Sequence, residues 1–376
     1  MGATFVRERG HSWGQMRRSL LVLLTTALLA PVPAAAASPA VPRGFIGISP
    51  QGATKESDDE LMQLAGIESV RLPMSWASIE SDVANLEEPE WASFDAQVTR
   101  AAQHEMRVFP FLWGTPEWVS PYPSAEPVES AWQRYAWTSF LREAVGRYGP
   151  GGEFWEENPD LPRLPIRKWE IWNEENIVTF SHRPNPVRFA ELIRISGRVL
   201  HRADPGSKVI VGGFFGRPLQ VPPNVASGDF LSRLYRARRV RPFFDGVALH
   251  PYVAQAGAMW SQIENLRRIM KAHNDAETPL YVTELGWGSD SFESRWERGP
   301  LGQARELDRA FAMLAANRLR WHVGGVWWFS WVDLSNACQF CDSAGLLTEA
   351  REAKPAWYAF NEWTGGDADT VPRAAL

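Results

Sequence analysis

The chain has 376 residues, with 39 Lys and Arg against 44 Asp and Glu, a net charge of −5 at pH 7. So mild an acidity argues against nucleic acid or an anionic membrane surface as partner. The length is ample for a hydrophobic core without help from metals or disulfides.

In chain order, residues 1–37 read first as a signal peptide. Arg17-Arg18 precede the apolar run Leu20 to Ala30, and Ala35-Ala36-Ala37 offers a small-residue cleavage site. The mature chain is then expected to begin near Ser38 and to be secreted, the competing reading being an uncleaved N-terminal anchor. Cleavage removes four arginines and one glutamate, taking the net charge from −5 to −8. No later segment approaches the roughly 20 apolar residues of a spanning helix, so no membrane span is expected in the mature chain.

From Ser38 onward, short apolar runs alternate with longer amphipathic stretches. The spacing predicts strands at Phe45–Ser49, Ser69–Leu72, Arg107–Leu112, Lys168–Trp172, Lys208–Gly212, Gly246–His250, Leu280–Thr283 and Gly325–Phe329. It predicts helices at Trp91–His104, Trp132–Arg147, Pro186–Ala203, Phe230–Arg238, Trp260–Asn274, Arg305–Asn317 and Pro355–Trp363. Eight βα units in one chain read as a (β/α)8 TIM barrel, a single domain over residues 38–376. A doubly wound sheet would need a Gly-rich phosphate loop after its first strand, and none is present. The Pro- and Gly-rich stretches 148–165 and 217–228 read as long loops.

Chemistry converges on the ends of these strands, where active sites of this fold lie. Glu174 closes Lys168-Trp-Glu-Ile-Trp-Asn-Glu174, and Glu284 closes Pro279-Leu-Tyr-Val-Thr-Glu284. A buried carboxylate pair is the working part of most glycosidases, although a lone strand-end acid can simply cap the next helix. Arg71 lies in the second strand, Asn173 precedes Glu174, His250 and Tyr252 end the sixth, and Trp113, Trp287 and Trp327 end or follow other strands. The chain holds 19 tryptophans, whose flat faces and single N–H donors suit sugar rings as well as cores. Strand alternation puts 170, 172 and 174 on one face, favouring Glu174 over Glu175 as the reacting acid. The same parity turns Glu170 into the barrel, where it needs a partner such as Arg71.

Trp169-Glu-Ile-Trp-Asn-Glu174, His250-Pro-Tyr252 and Thr283-Glu284 together resemble the retaining glycoside hydrolases of clan A. The likeness is greatest to the family 39 branch of β-xylosidases, α-L-iduronidases and short exopolysaccharide hydrolases, and it covers most of residues 44–364. The resemblance implies that Glu174 is the acid/base and Glu284 the nucleophile, about 5–5.5 Å apart across the barrel mouth. It implies that Asn173 binds the sugar 2-hydroxyl, Tyr252 holds Glu284, His250 binds a hydroxyl or is structural, and Arg71 touches Glu284. Two departures stand out: Glu175 occupies the place of a usual Pro, and the sequence carries no C-terminal β-sandwich of the xylosidase kind. Comparison with the shorter polysaccharide-cleaving members follows.

The remaining signals are negative or local. Cys338 and Cys341 form a C-x-x-C without a second pair, which in an exported protein reads as a local disulfide more readily than as half of a zinc site. The histidines show no metal-ligand spacing and there is no G-x-S-x-G elbow, so neither metal, cofactor nor serine hydrolase is expected. The expected partner is a carbohydrate substrate, and the oligomeric state carries no signal. A transglycosylase and a non-catalytic carbohydrate-binding barrel are the rival readings.

Overall fold

A computed structural model describes residues 41–376 apart from 53, 84–88, 218–220, 238, 291–293, 336, 337, 339, 372 and 374–376. The expected signal peptide, 1–37, lies outside the described residues. Eight parallel strands close in chain order into a barrel: β1 (Ile46–Ile48), β2 (Ser69–Ser75), β3 (Arg107–Trp113), β4 (Lys168–Ile171), β5 (Lys208–Phe215), β6 (Gly246–His250), β7 (Leu280–Leu285) and β8 (Val323–Trp328). One principal helix follows each strand: α1 (Glu56–Leu64), α2 (Ala92–Gln103), α3 (Ala131–Tyr148), α4 (Pro186–Ala203), α5 (Ser227–Arg236), α6 (Met259–Ala272), α7 (Pro300–Asn317) and α8 (Pro355–Thr364). This is the (β/α)8 barrel expected from the alternation.

Local chemistry sets the helix ends. Ser130 and Gln133 form a reciprocal capping box at the start of α3. Asn185 accepts from two backbone N–H groups ahead of Pro186 at the first position of α4. Gly365, at φ 74°, terminates α8 in the left-handed region. Helix α1 escaped the periodicity because its sequence, Glu-Ser-Asp-Asp-Glu-Leu-Met-Gln-Leu, carries only three apolar side chains. Tertiary contacts supply its order: buried Asp58 pairs with Arg351, and Asp59 with Arg100.

The barrel interior is filled from one end by Phe109, Ile210, Ala248, Tyr281 and Trp327. Trp327 Nε1 bonds Ser69 Oγ at 3.2 Å, so this indole is interior packing and no sugar platform. Two residues further along the strands, the same inward face turns polar: Ser69 is followed by Arg71, Lys168 by Glu170, Ala248 by His250, and Tyr281 by Thr283. All four are fully buried.

Candidate active site

Four strand ends bring the polar side chains together. Arg71 is the hub: its Nε bonds Glu170 Oε2 at 2.6 Å, one terminal nitrogen bonds Glu284 Oε1 at 2.7 Å, and the other bonds Asn173 Oδ1 at 2.8 Å. Its guanidinium also lies 4.1 Å from the centre of the Phe111 ring. Burial would lower its pKa, but Glu170 and Glu284 outweigh that and raise it. Since Arg71 is wholly enclosed, it orients the two residues that face the mouth and does not itself reach a substrate. Asn173 accepts from Arg71 through its carbonyl oxygen, which leaves its amide hydrogens as the donors it can offer.

Glu284 receives a second donor, the Tyr252 hydroxyl, on Oε2 at 2.8 Å. Burial and the facing carboxyls push the Tyr252 hydroxyl well above its ordinary pKa, so it stays a donor. Glu174 stands in a different environment. Burial and then the charge of Glu284 raise its pKa well above the usual carboxyl value. Its Oε1 lies 2.8 Å from His250 Nδ1. One oxygen of Glu174, one of Glu284 and a His250 ring nitrogen all lie within 4.8 Å of one another. Such a trio has the donor types of a cation site, but the Arg71 guanidinium already occupies Glu284 Oε1 and opposes a second positive charge.

Strand parity, which pointed to Glu174, is corrected in its reason. Strand β4 ends at Ile171, and Trp172 and Glu174 both take left-handed conformations, at φ 75° and 44°. That double reversal of the backbone, rather than pleat alternation, turns Glu174 to the mouth. Glu175 is not on an exposed face; it is fully buried, and neither of its oxygens has a hydrogen-bond partner among the described residues. Burial raises its pKa well above the ordinary value. The turn is clamped by Asn176, whose amide donates to Phe215 O and Val225 O at 2.9 Å and accepts from Phe215 N.

Of the residues singled out from the sequence, the structure therefore gathers Arg71, Asn173, Glu174, His250, Tyr252 and Glu284. Trp113 stands half-buried at the end of β3, with its ring 5.6 Å from Phe180. Trp287 is a correction: it is fully buried, its Nε1 donates to Val253 O at 2.7 Å, and it packs on Trp328. The rings that do crowd Tyr252 are Phe215, Phe329 and Phe340, with Trp296 against Phe340. Phe215 ends β5 beyond its expected bound, Phe329 directly follows β8, and Trp296 and Phe340 lie between elements, so only their spatial assembly reveals the cluster. Gly213 was also missed: at φ 80°, its absent Cβ would stand 2.9 Å from Glu170 Oε1 and 3.1 Å from His250 Nε2. Two successive glycines in a strand are the sequence sign of such a close approach. Cys338 and Cys341 are joined in a disulfide, as expected.

No family model and no curated protein matches the sequence. Solved structures do match. A family 39 glycoside hydrolase from Bacteroides cellulosilyticus superposes with a TM-score of 0.63 at 18% identity, over 85% of this chain and 63% of that one. A monomeric β-xylosidase from Caulobacter crescentus gives 0.59 at 17% identity, over 87% and 69%. An intracellular xylanase from Thermoanaerobacterium saccharolyticum gives 0.55 at 15%, over 86% of this chain and 99% of that one. The chain thus spans just under two thirds of the Bacteroides structure and nearly the whole length of the xylanase, and what it shares with all three is the barrel.

Proposed function

We propose that the protein is a retaining glycoside hydrolase that cleaves β-linked poly- or oligosaccharides outside the cell. The observation that carries this reading is one pair of carboxyl groups in opposed environments. One oxygen of Glu174 and one of Glu284 lie within 4.8 Å of each other, in keeping with the roughly 5–5.5 Å carboxyl separation of a retaining enzyme. Glu284 is gripped by two hydrogen-bond donors, whereas burial and the charge of Glu284 raise the Glu174 pKa and so favour its acid form.

In the first step an oxygen of Glu284 bonds to the anomeric carbon, the glycosidic C–O bond breaks, and the proton of Glu174 passes to the departing oxygen. In the second, water gives a proton to Glu174 and its oxygen displaces Glu284 from the anomeric carbon. Asn173 is placed to donate to the sugar 2-hydroxyl, and Trp113, Phe215 and Trp296 offer half-buried rings for flanking sugar units. Likeness of fold to β-xylosidases and a xylanase supports a carbohydrate substrate.

The test is a panel of aryl β-glycosides and plant and bacterial polysaccharides, with the first-formed anomer read by proton NMR. A product of retained configuration is expected, and an inverted first product would overturn the mechanism. Failure to release sugar from every member would favour a non-catalytic barrel. Product sizing separates internal from terminal cleavage, and added sugar acceptors separate hydrolysis from transfer.

A further inference from the structure

The hydrogens around His250 fit together in one order, and that order locates the proton of Glu174. Glu170 Oε2 is taken by Arg71, and its Oε1 receives the Thr283 hydroxyl at 3.0 Å. A threonine hydroxyl has a single hydrogen to give. With it committed to Glu170, Thr283 Oγ1 meets His250 Nε2, 3.0 Å away, as an acceptor, so the imidazole carries its hydrogen on Nε2. Burial and then Arg71 push the His250 pKa well below the ordinary histidine value, so the ring is neutral and Nδ1 keeps a lone pair. Nδ1 and Glu174 Oε1 stand 2.8 Å apart, and only a hydrogen on Glu174 can join two acceptors at that distance. The opposite tautomer would swing the Thr283 hydrogen toward Nε2. It would leave Oε1 of the fully enclosed Glu170 without its one donor among the described residues.

We infer that Glu170 and Thr283 are positioning residues for the acid/base Glu174, acting through His250, whose Nδ1 they keep as an acceptor so that the proton stays on Glu174. This rests on the roles of Glu174 and Glu284 proposed above. The groups facing Glu174 are Glu284 on β7, Arg71 on β2, Glu170 on β4, the adjoining Glu175, and His250 on β6. Those facing His250 are Arg71, Glu174, Glu284 with an oxygen 3.5 Å from Nδ1, and the Tyr252 ring. Arg71 favours the Glu174 carboxylate and the other carboxyls oppose it; the tautomer of His250 sets the sign of the nearest contact. An acceptor there favours the acid before the glycosidic bond breaks. It leaves the carboxylate a stronger base when water must be deprotonated.

The test uses the mature protein and long-range proton–nitrogen NMR, with the His250 signals identified by their loss in His250→Gln. The wild type is expected to show the Nε2–H tautomer. Thr283→Val keeps the side-chain shape and removes the hydroxyl; it should move His250 toward Nδ1–H and shift the basic limb of kcat/KM down by about one pH unit on the methyl glycoside of the panel's preferred sugar. On the corresponding 2,4-dinitrophenyl glycoside, which needs little acid assistance, kcat/KM should change by less than about threefold. Thr283→Ser should restore both readouts. An Nδ1–H tautomer or an imidazolium in the wild type at neutral pH would overturn the inference, as would a Thr283→Val variant with an unmoved limb and equal losses on both glycosides. The spectrum decides the inference even if no glycoside in the panel is cleaved, an outcome that would remove the hydrolase reading instead.

Discussion

Glu174 and Glu175 are adjacent, both buried and both raised in pKa by burial, so pKa alone does not separate them. Geometry does, because only Glu174 meets His250 and shares the 4.8 Å cluster with Glu284. Glu174→Ala should therefore lose activity by about 10²–10⁴-fold on alkyl glycosides and far less on dinitrophenyl glycosides. Added azide should rescue it by attacking the glycosyl-enzyme from the vacated side, giving a β-glycosyl azide visible by mass spectrometry. Glu175→Gln should leave the leaving-group dependence unaltered, and a reversal of the two behaviours would transfer the acid role to Glu175. Arg71 holds Glu170, Glu284 and Asn173 through three hydrogen bonds at once. Arg71→Met would strand Glu170 inside the barrel; a loss of about 3–5 kcal/mol in denaturant unfolding is expected, as for other broken buried pairs. A variant of wild-type stability would mean that Glu170 takes up a proton without cost.

At the scale of elements, much of the architecture was legible because most strands and helices repeat one signal: an apolar run followed by an amphipathic stretch. Gly246–His250 and Pro186–Ala203 match the expected bounds, since a Pro or a polar residue marks each end. Some bounds slipped outward, as in β5, which continues through Gly213 to Phe215 across a register shift, and others inward, as in β1 and β4, which stop short of their expected ends. The site residues on strands were legible for the same reason. The aromatic rings in loops and the φ reversals at Trp172 and Glu174 were not, because they depend on contacts between segments distant in sequence. The loop after β8 illustrates how such contacts carry an element. Lys354 Nζ, itself buried, bonds both oxygens of Asp333 and Ser343 O, and Gly345 N bonds Asp333 Oδ1. The disulfide is thus one of several fastenings, and it closes a loop too short to restrain much chain entropy. Cys338→Ser with Cys341→Ser should keep kcat/KM on a small aryl glycoside within about threefold, checked by steady-state kinetics; a collapse of activity would show that the fastening at Lys354 does not suffice.

For the whole molecule, the buried carboxyls set how stability follows pH. Asp59, Glu80, Glu126, Glu143, Glu170, Glu174, Glu175 and Asp333 all have pKa values raised by burial, whereas hydrogen bonds lower Asp58 and Asp245. A carboxyl raised in the folded state binds more protons there than in the unfolded chain, so its contribution is present below the unfolded pKa and is lost as pH rises through the folded one. His250 works the other way: lowered by burial, it is undercharged in the fold and disfavours folding only below its ordinary value of 6.5. His250, Asp58 and Asp245 are set against eight raised acids, so stability should decline from mildly acidic toward alkaline pH, opposite to the usual acid sensitivity of proteins rich in salt-bridged carboxylates. Glu80 is the clearest case, being fully covered, bonded by Trp76 Nε1 at 2.7 Å and raised from 4.5 to about 7. Between those two values it forfeits at most roughly 3 kcal/mol. Glu80→Gln keeps an acceptor for Trp76 and cannot ionise. Measured by calorimetry, its Tm should gain a few degrees on the wild type between pH 5 and pH 8, at about 2 °C per kcal/mol for a domain of this size. A difference in Tm that stays constant across that range would show that Glu80 is ionised in the fold at both ends of it, and that its burial is compensated by a partner rather than by a proton.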